Sequence, residues 1–149
     1  MERHGGPPGR RATGLLVLLL FQGVSAVGGG LWLVLHPTGI PPGLTLELLR
    51  GSAFGDYRLP GLVLLVVLGV VPCVVAFGLW RRTSWSRIAS VLVGGALVVW
   101  IVLQITIIGY QPWPPPPWPS LQLVYGTLGI AIVGLAAKPF PLQGTGEER

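Results

Sequence analysis

Long apolar stretches, separated by short polar segments, dominate the chain. Four stretches without a charged residue, each of about 20 residues, occupy positions 14–35, 61–80, 88–109 and 121–137. A helix of that length crosses the roughly 30 Å hydrocarbon core of a bilayer. A backbone in lipid must satisfy its own hydrogen bonds, which favours helices. The pattern predicts an all-α polytopic membrane protein, with four transmembrane helices in an antiparallel bundle and a single domain over 1–149.

Composition strengthens the membrane assignment. The chain is 51% hydrophobic and only 10% charged, whereas soluble domains carry about 25% charged residues. The net charge of +5 comes from residues near helix ends, so no nucleic-acid partner is predicted. Cys73 is the single cysteine, which excludes a disulfide or a thiolate metal cluster within one chain. The bias towards Arg over Lys, with abundant Gly and Pro, suggests a bacterial protein.

The first apolar stretch has two interpretations. Arg10 and Arg11 precede it, and "VSA" at 24–26 resembles a signal-peptide cleavage site. The apolar run continues to Leu35, however, and exceeds the 7–15 residues that are usual for the core of a signal peptide. A retained first helix is therefore favoured over a cleaved signal.

The basic residues predict the orientation in the membrane. Eight of the ten fall in the N-terminal tail, the 81–87 connection and the C-terminal tail, and only Arg50 and Arg58 fall in the other connections. Cytoplasmic loops carry the excess of Lys and Arg. Both termini should therefore be cytoplasmic, in a bacterial cytoplasmic membrane, with flexible tails at 1–13 and 138–149.

The two external connections differ in character. In 37–60, the spacing of Leu44, Leu48 and Leu49 predicts a short interfacial helix, which ends at Gly51 and carries a possible Glu47–Arg50 pair. The other connection, "GYQPWPPPPWPS", is rich in proline. Such segments can dock on SH3 or WW domains, but this loop is uncharged, short and predicted to be external. A rigid cap is the favoured interpretation, standing as a spike or bridging helices that are not neighbours.

Packing features are also readable. Pro72 should kink the second helix, because it lacks a backbone donor and clashes with the preceding turn. Small residues four apart allow helices to approach closely. The pairs are Ser25/Gly29, Ala26/Gly30, Gly69/Cys73 and Ser90/Gly94.

Polar residues inside the apolar stretches are uncharged, which counts against a proton-coupled transporter or an ion pump. They include Gln22, Ser25, Ser90, Gln104, Thr106, Gln122, Tyr125 and Thr127. Several lie near the outer helix ends and form a candidate outward polar patch. Its residues are Gln104, Tyr110, Gln122, Tyr125, Asp56 and Tyr57. Interhelical hydrogen bonding is the simpler role for these residues, and a small-ligand or lipid-headgroup site is the alternative.

Three segments carry a family resemblance: "LRGSAFGDYRLPGLVLL", "WIVLQITIIGY" and "LQLVYGTLG". They resemble segments of small, uncharacterised bacterial membrane proteins with four spanning helices. The resemblance extends from the first helix to about Gly134. It implies a four-helix fold and no particular activity, and the proline run looks like an expansion of a shorter loop.

No catalytic constellation is visible. His4 and His36 have no carboxylate or cysteine at metal-ligand spacing, and there is no phosphate-binding motif. The sequence predicts no enzyme activity and no cofactor. The expected function is a structural or accessory role, exerted by packing against itself or against another membrane protein in the lipid bilayer. The alternative is an oligomeric carrier or channel-like protein for a small neutral solute or lipid.

Overall fold

A computed structural model describes residues 9–40, 44–111 and 119–138. It contains four long helices: α1 (Arg10–Leu35), α2 (Arg58–Trp80), α3 (Ser86–Ile108) and α4 (Leu121–Ala137). The all-α prediction is confirmed, and every helix boundary lies within four residues of its predicted position. The largest difference is at α1, which begins inside the predicted 1–13 tail. The rest of both predicted tails, at 1–8 and 139–149, and most of the proline loop, at 112–118, lie outside the described residues.

Three of the helices, α1, α2 and α3, are long and apolar enough to cross a membrane, which is the character of a membrane protein. The fourth, α4, is apolar but has only 17 residues. At 1.5 Å per residue its length is about 26 Å. It begins sharply, because Ser120 lies at the N-cap in an extended conformation and its hydroxyl accepts a hydrogen bond from the backbone N–H of Leu123 at 3.3 Å.

The middle of α2 departs from α-helical geometry. Residues Val66–Val70 form a π-helical turn between two α-helical parts, Arg58–Leu65 and Val71–Trp80. The backbone N–H of Val71 bonds to Val66 O, five residues back. Pro72 follows immediately, and it supplies no N–H and crowds the carbonyl one turn earlier. The predicted perturbation at Pro72 therefore takes the form of a wider turn on its N-terminal side.

Glycines set the close packing of α1 against α2. A methyl group added at Gly30 would lie 2.5 Å from the backbone nitrogen of Leu65 and 2.8 Å from Gly61 O. A methyl group added at Gly23 would lie 3.0 Å from Gly69 O. The two helices run in opposite directions, because the later residue of α1 faces the earlier residues of α2. The Ala26/Gly30 and Gly69/Cys73 pairs are therefore on the packed faces, whereas Gly29 is exposed.

The α3–α4 contact is built in the same way. A methyl group added at Gly94 would lie 2.9 Å from Gly129 O, and one added at Gly129 would lie 3.0 Å from Gly94 O. Ser90, one turn before Gly94, is fully buried and donates to Ser86 O at 2.7 Å. Between the helices lies an apolar core with members from all four. Its residues are Leu15, Leu19, Ala26, Leu68, Val75, Ala76, Leu79, Val93, Leu97, Ile101, Leu128, Ile132 and Ala136.

The connection between α1 and α2 contains two short strands and one 3₁₀ turn. The predicted interfacial helix is therefore wrong. Strand β1 (Gly39–Ile40) pairs antiparallel with β2 (Leu44–Thr45), and one 3₁₀ turn, Leu46–Leu49, follows. Thr45 is extended, so only four residues remain for helical structure. Gly51 has the positive φ, +86°, that was expected of the residue ending the turn. Glu47 and Arg50 approach to 4.0 Å, but both are exposed, so the pair contributes little.

The short connection between α2 and α3 is closed by backbone hydrogen bonds. Thr83 N–H donates to Gly78 O, and Arg82 N–H donates to Leu79 O, both at 3.0 Å. Arg82 has a φ of +56°. This is the geometry of a Schellman cap, with arginine where glycine is usual. Trp85 folds back beside Gly78, and the Arg81 guanidinium lies 5.1 Å from the Phe77 ring centroid.

Candidate functional site: polar groups at the helix ends and in the core

Gln122 joins the end of α3 to the start of α4. Its Oε1 accepts a hydrogen bond from Gln111 N–H at 2.8 Å, and its Nε2 donates to Gly109 O at 3.2 Å. Gly109 ends α3 with a φ of +73°, which only glycine adopts readily, and so turns its carbonyl towards α4. Gln111 Nε2 also donates to Ile108 O at 2.6 Å. We call Ile108, Gly109, Gln111 and Gln122 the α3–α4 clamp. Both polar atoms of the Gln122 carboxamide form hydrogen bonds in it.

The other predicted patch residues of α3 and α4 do not join the clamp. Gln104 is half-buried, and within the described ranges no hydrogen bond links it to Gln122, Tyr110 or Tyr125. Tyr110 is exposed, and Tyr125 stacks on Phe21 of α1 with ring centroids 6.4 Å apart. The structure therefore places these residues at neighbouring levels without converging them on one point. A shared ligand site among them stays a prediction.

Asp56 and Tyr57 form a separate group at the start of α2. The Asp56 carboxylate accepts a hydrogen bond at 2.9 Å from the N–H of Arg58, the first residue of α2. Tyr57 is buried; its N–H donates to Pro37 O at 2.9 Å and its hydroxyl donates to Thr45 O at 2.8 Å. Burial raises the pKa of Tyr57 above its ordinary value, because the charged phenolate would lose its hydration. These two residues hold the α1–α2 connection to the helix ends.

A second buried glutamine has no such engagement. Gln22 of α1 is 0% exposed, and neither its Oε1 nor its Nε2 has a hydrogen-bond partner among the described residues. The indole Nε1 of Trp100, on α3, is likewise buried without a partner. Buried polar atoms are nearly always hydrogen-bonded, so these exceptions are informative. The sequence shows Gln22 as polar, and its place on the buried stripe with Leu15, Leu19, Ala26 and Gly30 is the signal that could have distinguished it.

The available chemistry is hydrogen bonding. Within the part of the chain that the structure describes, no group of three or more His, Cys, Asp or Glu side chains could hold a metal ion. Among the described residues, the buried side-chain polar atoms without a partner are the Gln22 carboxamide oxygen and nitrogen and the Trp100 indole nitrogen, all of which form hydrogen bonds. Such an arrangement can bind a hydrogen-bonding group or pack against another helix.

Comparison with known proteins returned no relatives. No protein-family model, curated protein or solved structure matches this chain. The family resemblance noted from the sequence therefore stays a prediction, and function must be argued from the fold.

Proposed function

We propose that this chain is an integral membrane protein whose four helices all cross the bilayer as an antiparallel bundle, with a structural or accessory role exerted by packing against a second copy or another membrane protein. Its place would be a bacterial cytoplasmic membrane, with both termini in the cytoplasm. The length of α1, α2 and α3 supports three crossings. The fourth is supported by α4 lying along α3 at two levels, through the Gly94–Gly129 and Ile101–Gly126 contacts.

The orientation is supported by the positions of charge and tryptophan. Arg81 and Arg82 stand at the α2–α3 connection, beside the exposed Trp80 and Trp85. Tryptophan favours the membrane interface, and arginine favours the cytoplasmic side. Two reporters can be fused after Lys138, one that is active only in the cytoplasm and one that is active only outside it. We expect activity from the cytoplasmic reporter. Activity from the external reporter alone would refute this orientation.

The accessory role is supported by Gly28, a glycine on the exposed side of α1 with open space around it. A methyl group at Gly28 would have nothing within 4 Å, in contrast to Gly30, whose space α2 fills. Gly28 continues an exposed apolar face that includes Val17, Phe21 and Val24. Small residues on a lipid-facing surface let another helix approach closely. By contrast, the polar side chains of Gln122, Asp56 and Tyr57 at the helix ends make hydrogen bonds within the chain.

The test is the mass of the intact assembly, extracted gently from native membranes. The proposal expects either several copies of this chain or a second protein at fixed stoichiometry. Gly28→Leu should release the partner, because leucine fills the space in which the helices meet. Gly95→Leu on α3 is the matched control, since Gly95 also has open space around it but lies on a different helix. A single chain with nothing attached at any protein concentration would refute the accessory role.

A carrier for a small neutral solute or lipid is the second candidate. The observation in its favour is Gln104, which is half-buried in the outer half of α3 with no hydrogen bond recorded to another described residue. Solute flux into reconstituted vesicles, abolished by Gln104→Leu, would support it. Flux that is absent, or that persists in this variant, would remove it.

A further inference from the structure

The strongest unexplained feature of the fold is the pair of polar side chains in its core. The Gln22 carboxamide offers one acceptor and two N–H donors, and the Trp100 indole offers one N–H donor. Within the described residues none of these atoms has a partner. The buried neighbours one turn away are mostly apolar: Leu19 and Ala26 on α1, and Leu97 and Ile101 on α3. The half-buried Gln104 lies one turn after Trp100. Polar groups in such surroundings cost free energy unless something bonds to them.

The helix turns that carry the two side chains reach the same level of α4. Phe21, next to Gln22, stacks on Tyr125 of α4. Gly126, next to Tyr125, faces Ile101 of α3, where an added methyl would lie 3.7 Å from Ile101 Cγ2. Ile101 is next to Trp100. One level of α4 therefore contacts both the α1 turn that carries Gln22 and the α3 turn that carries Trp100.

We propose that Gln22 and Trp100 form a binding site in the helix core for a small uncharged molecule that both donates and accepts hydrogen bonds. Gln22 Oε1 requires a donor, while Gln22 Nε2 and Trp100 Nε1 require acceptors. A hydroxyl or a primary amide supplies both, and water is the smallest molecule that does. An ion is disfavoured, because the apolar stretches contain no residue of opposite charge to compensate it.

The α1–α4 contact offers the route of entry. At the α1–α2 and α3–α4 contacts, glycines bring helix backbones together, as at Gly30 and Gly94. The α1–α4 contact is made by side chains, including the stacked rings of Phe21 and Tyr125. Aromatic rings can rotate without moving a helix, so this pair can open and close beside Gln22. This binding site does not rest on the accessory role and applies equally to a single chain.

The test observes the wild-type protein directly by NMR, in bilayer discs of deuterated lipid, with ¹⁵N in glutamine side chains and tryptophan indoles. We expect cross-peaks from the Gln22 amide protons and the Trp100 indole proton to protons that do not belong to the protein. Cross-peaks at the water frequency alone would identify a bound water. Cross-peaks to non-exchangeable protons would identify a co-purified alcohol or amide, and a mass spectrum of the extract would name it.

Matched variants assign the signals and make the proposal falsifiable. Gln22→Met keeps an unbranched side chain of similar length, and should abolish the cross-peaks of Trp100 as well as those of residue 22. Gln111→Met is the control, because it makes the same change beyond the end of α3, eleven residues from Trp100, and should leave both sets intact. Wild-type spectra in which neither side chain contacts a foreign proton would overturn the proposal, as would Trp100 cross-peaks unchanged by Gln22→Met.

Discussion

Two glutamines, Gln122 and Gln22, are buried in the same fold with opposite consequences. Gln122 is 6% exposed at the end of the bundle where α3 meets α4, and both polar atoms of its carboxamide bond to the backbone that joins these two helices. Gln22 is 0% exposed in the core, where neither the oxygen nor the nitrogen of its carboxamide has a partner in the described part of the chain. The same side chain is an architectural clamp in one place and an unsatisfied group in the other.

This difference shows which polar residues are evidence for a ligand site. At the helix ends the backbone has spare carbonyl and N–H groups, so a nearby amide is consumed in capping. In the middle of a helix those groups are already paired. A short hydroxyl such as that of Ser90 can still share the carbonyl one turn back, whereas Gln22 has no such bond and depends on another side chain or on a bound molecule. A polar residue at an outer end is therefore weak evidence for a ligand, and an unpaired one at mid-depth is stronger evidence.

The largest effect should follow from breaking the α1–α2 contact that holds Gln22 in the core. In Gly30→Ala the new methyl would meet three backbone atoms of α2 at 2.5–2.8 Å, so the helices must separate. We expect a loss of about 3 kcal/mol in the free energy of unfolding, at the upper end for overpacked sites. Reversible unfolding in mixed micelles measures it. Gly28→Ala, whose methyl enters open space, should change stability little, and an equal loss there would contradict the packing account.

The next effect is on the clamp. Gln122→Met removes both hydrogen bonds to the 109–111 backbone and leaves Gln111 N–H and Gly109 O without them. We expect a loss of about 1 kcal/mol, because the freed backbone groups are only partly buried and water can reach them. The same unfolding assay applies, with Gln104→Met as the control that should stay close to wild type. A Gln122→Met protein as stable as wild type would show that the clamp is dispensable.

The effect of Gln22→Met on the free energy of unfolding depends on whether the core site is occupied. With a bound molecule satisfying the amide, the loss of that molecule and the removal of the buried polar atoms offset one another, and stability should stay within about 1 kcal/mol of wild type. An empty site predicts a gain of about 1–3 kcal/mol, since an uncompensated polar group is replaced by an apolar one. A clear gain in stability would therefore mean that Gln22 destabilises the fold and that its site is empty.

The smallest effect concerns Tyr57, a further outer-end residue whose hydrogen bond stays within the chain. Because burial raises its pKa, the folded state holds the phenol proton more tightly than the unfolded state does. The stabilisation is complete below the unfolded pKa of about 10 and is lost as pH rises through the higher folded value. The thermal midpoint should fall above about pH 10 more steeply in wild type than in Tyr57→Phe. Identical alkaline profiles would contradict this role.

Helix positions were predictable because lipid-length apolar runs are a strong signal, and glycine spacing correctly marked the packed faces at Gly30 and Gly94. The π-turn before Pro72 was foreseen only as a kink, since sequence does not show how a helix absorbs the missing donor. The fate of the polar residues was not readable. Whether a glutamine bonds to backbone or lies unpaired depends on which backbone groups face it, and for Gln122 that is set by the positive φ of Gly109.

The α1–α2 connection shows a second limit. Leucine spacing in 44–50 favoured a helix, yet pairing of Gly39 with Thr45 extends the chain there and leaves one 3₁₀ turn. Tertiary contacts outside the segment decided its structure, including the Tyr57 hydroxyl that bonds to Thr45 O. Local periodicity carries no information about such partners.

Whether α4 crosses the membrane is the most direct test of the whole account, because the depths of Gln122 and Gln22 both depend on it. Single cysteines at Gln111 and Lys138, in a Cys73→Ala background, flank this helix. A membrane-impermeant thiol reagent applied to intact cells should label position 111 and should label position 138 only after the membrane is permeabilised. Labelling of both positions from outside would mean that α4 lies on the external surface, and would contradict the four-span fold.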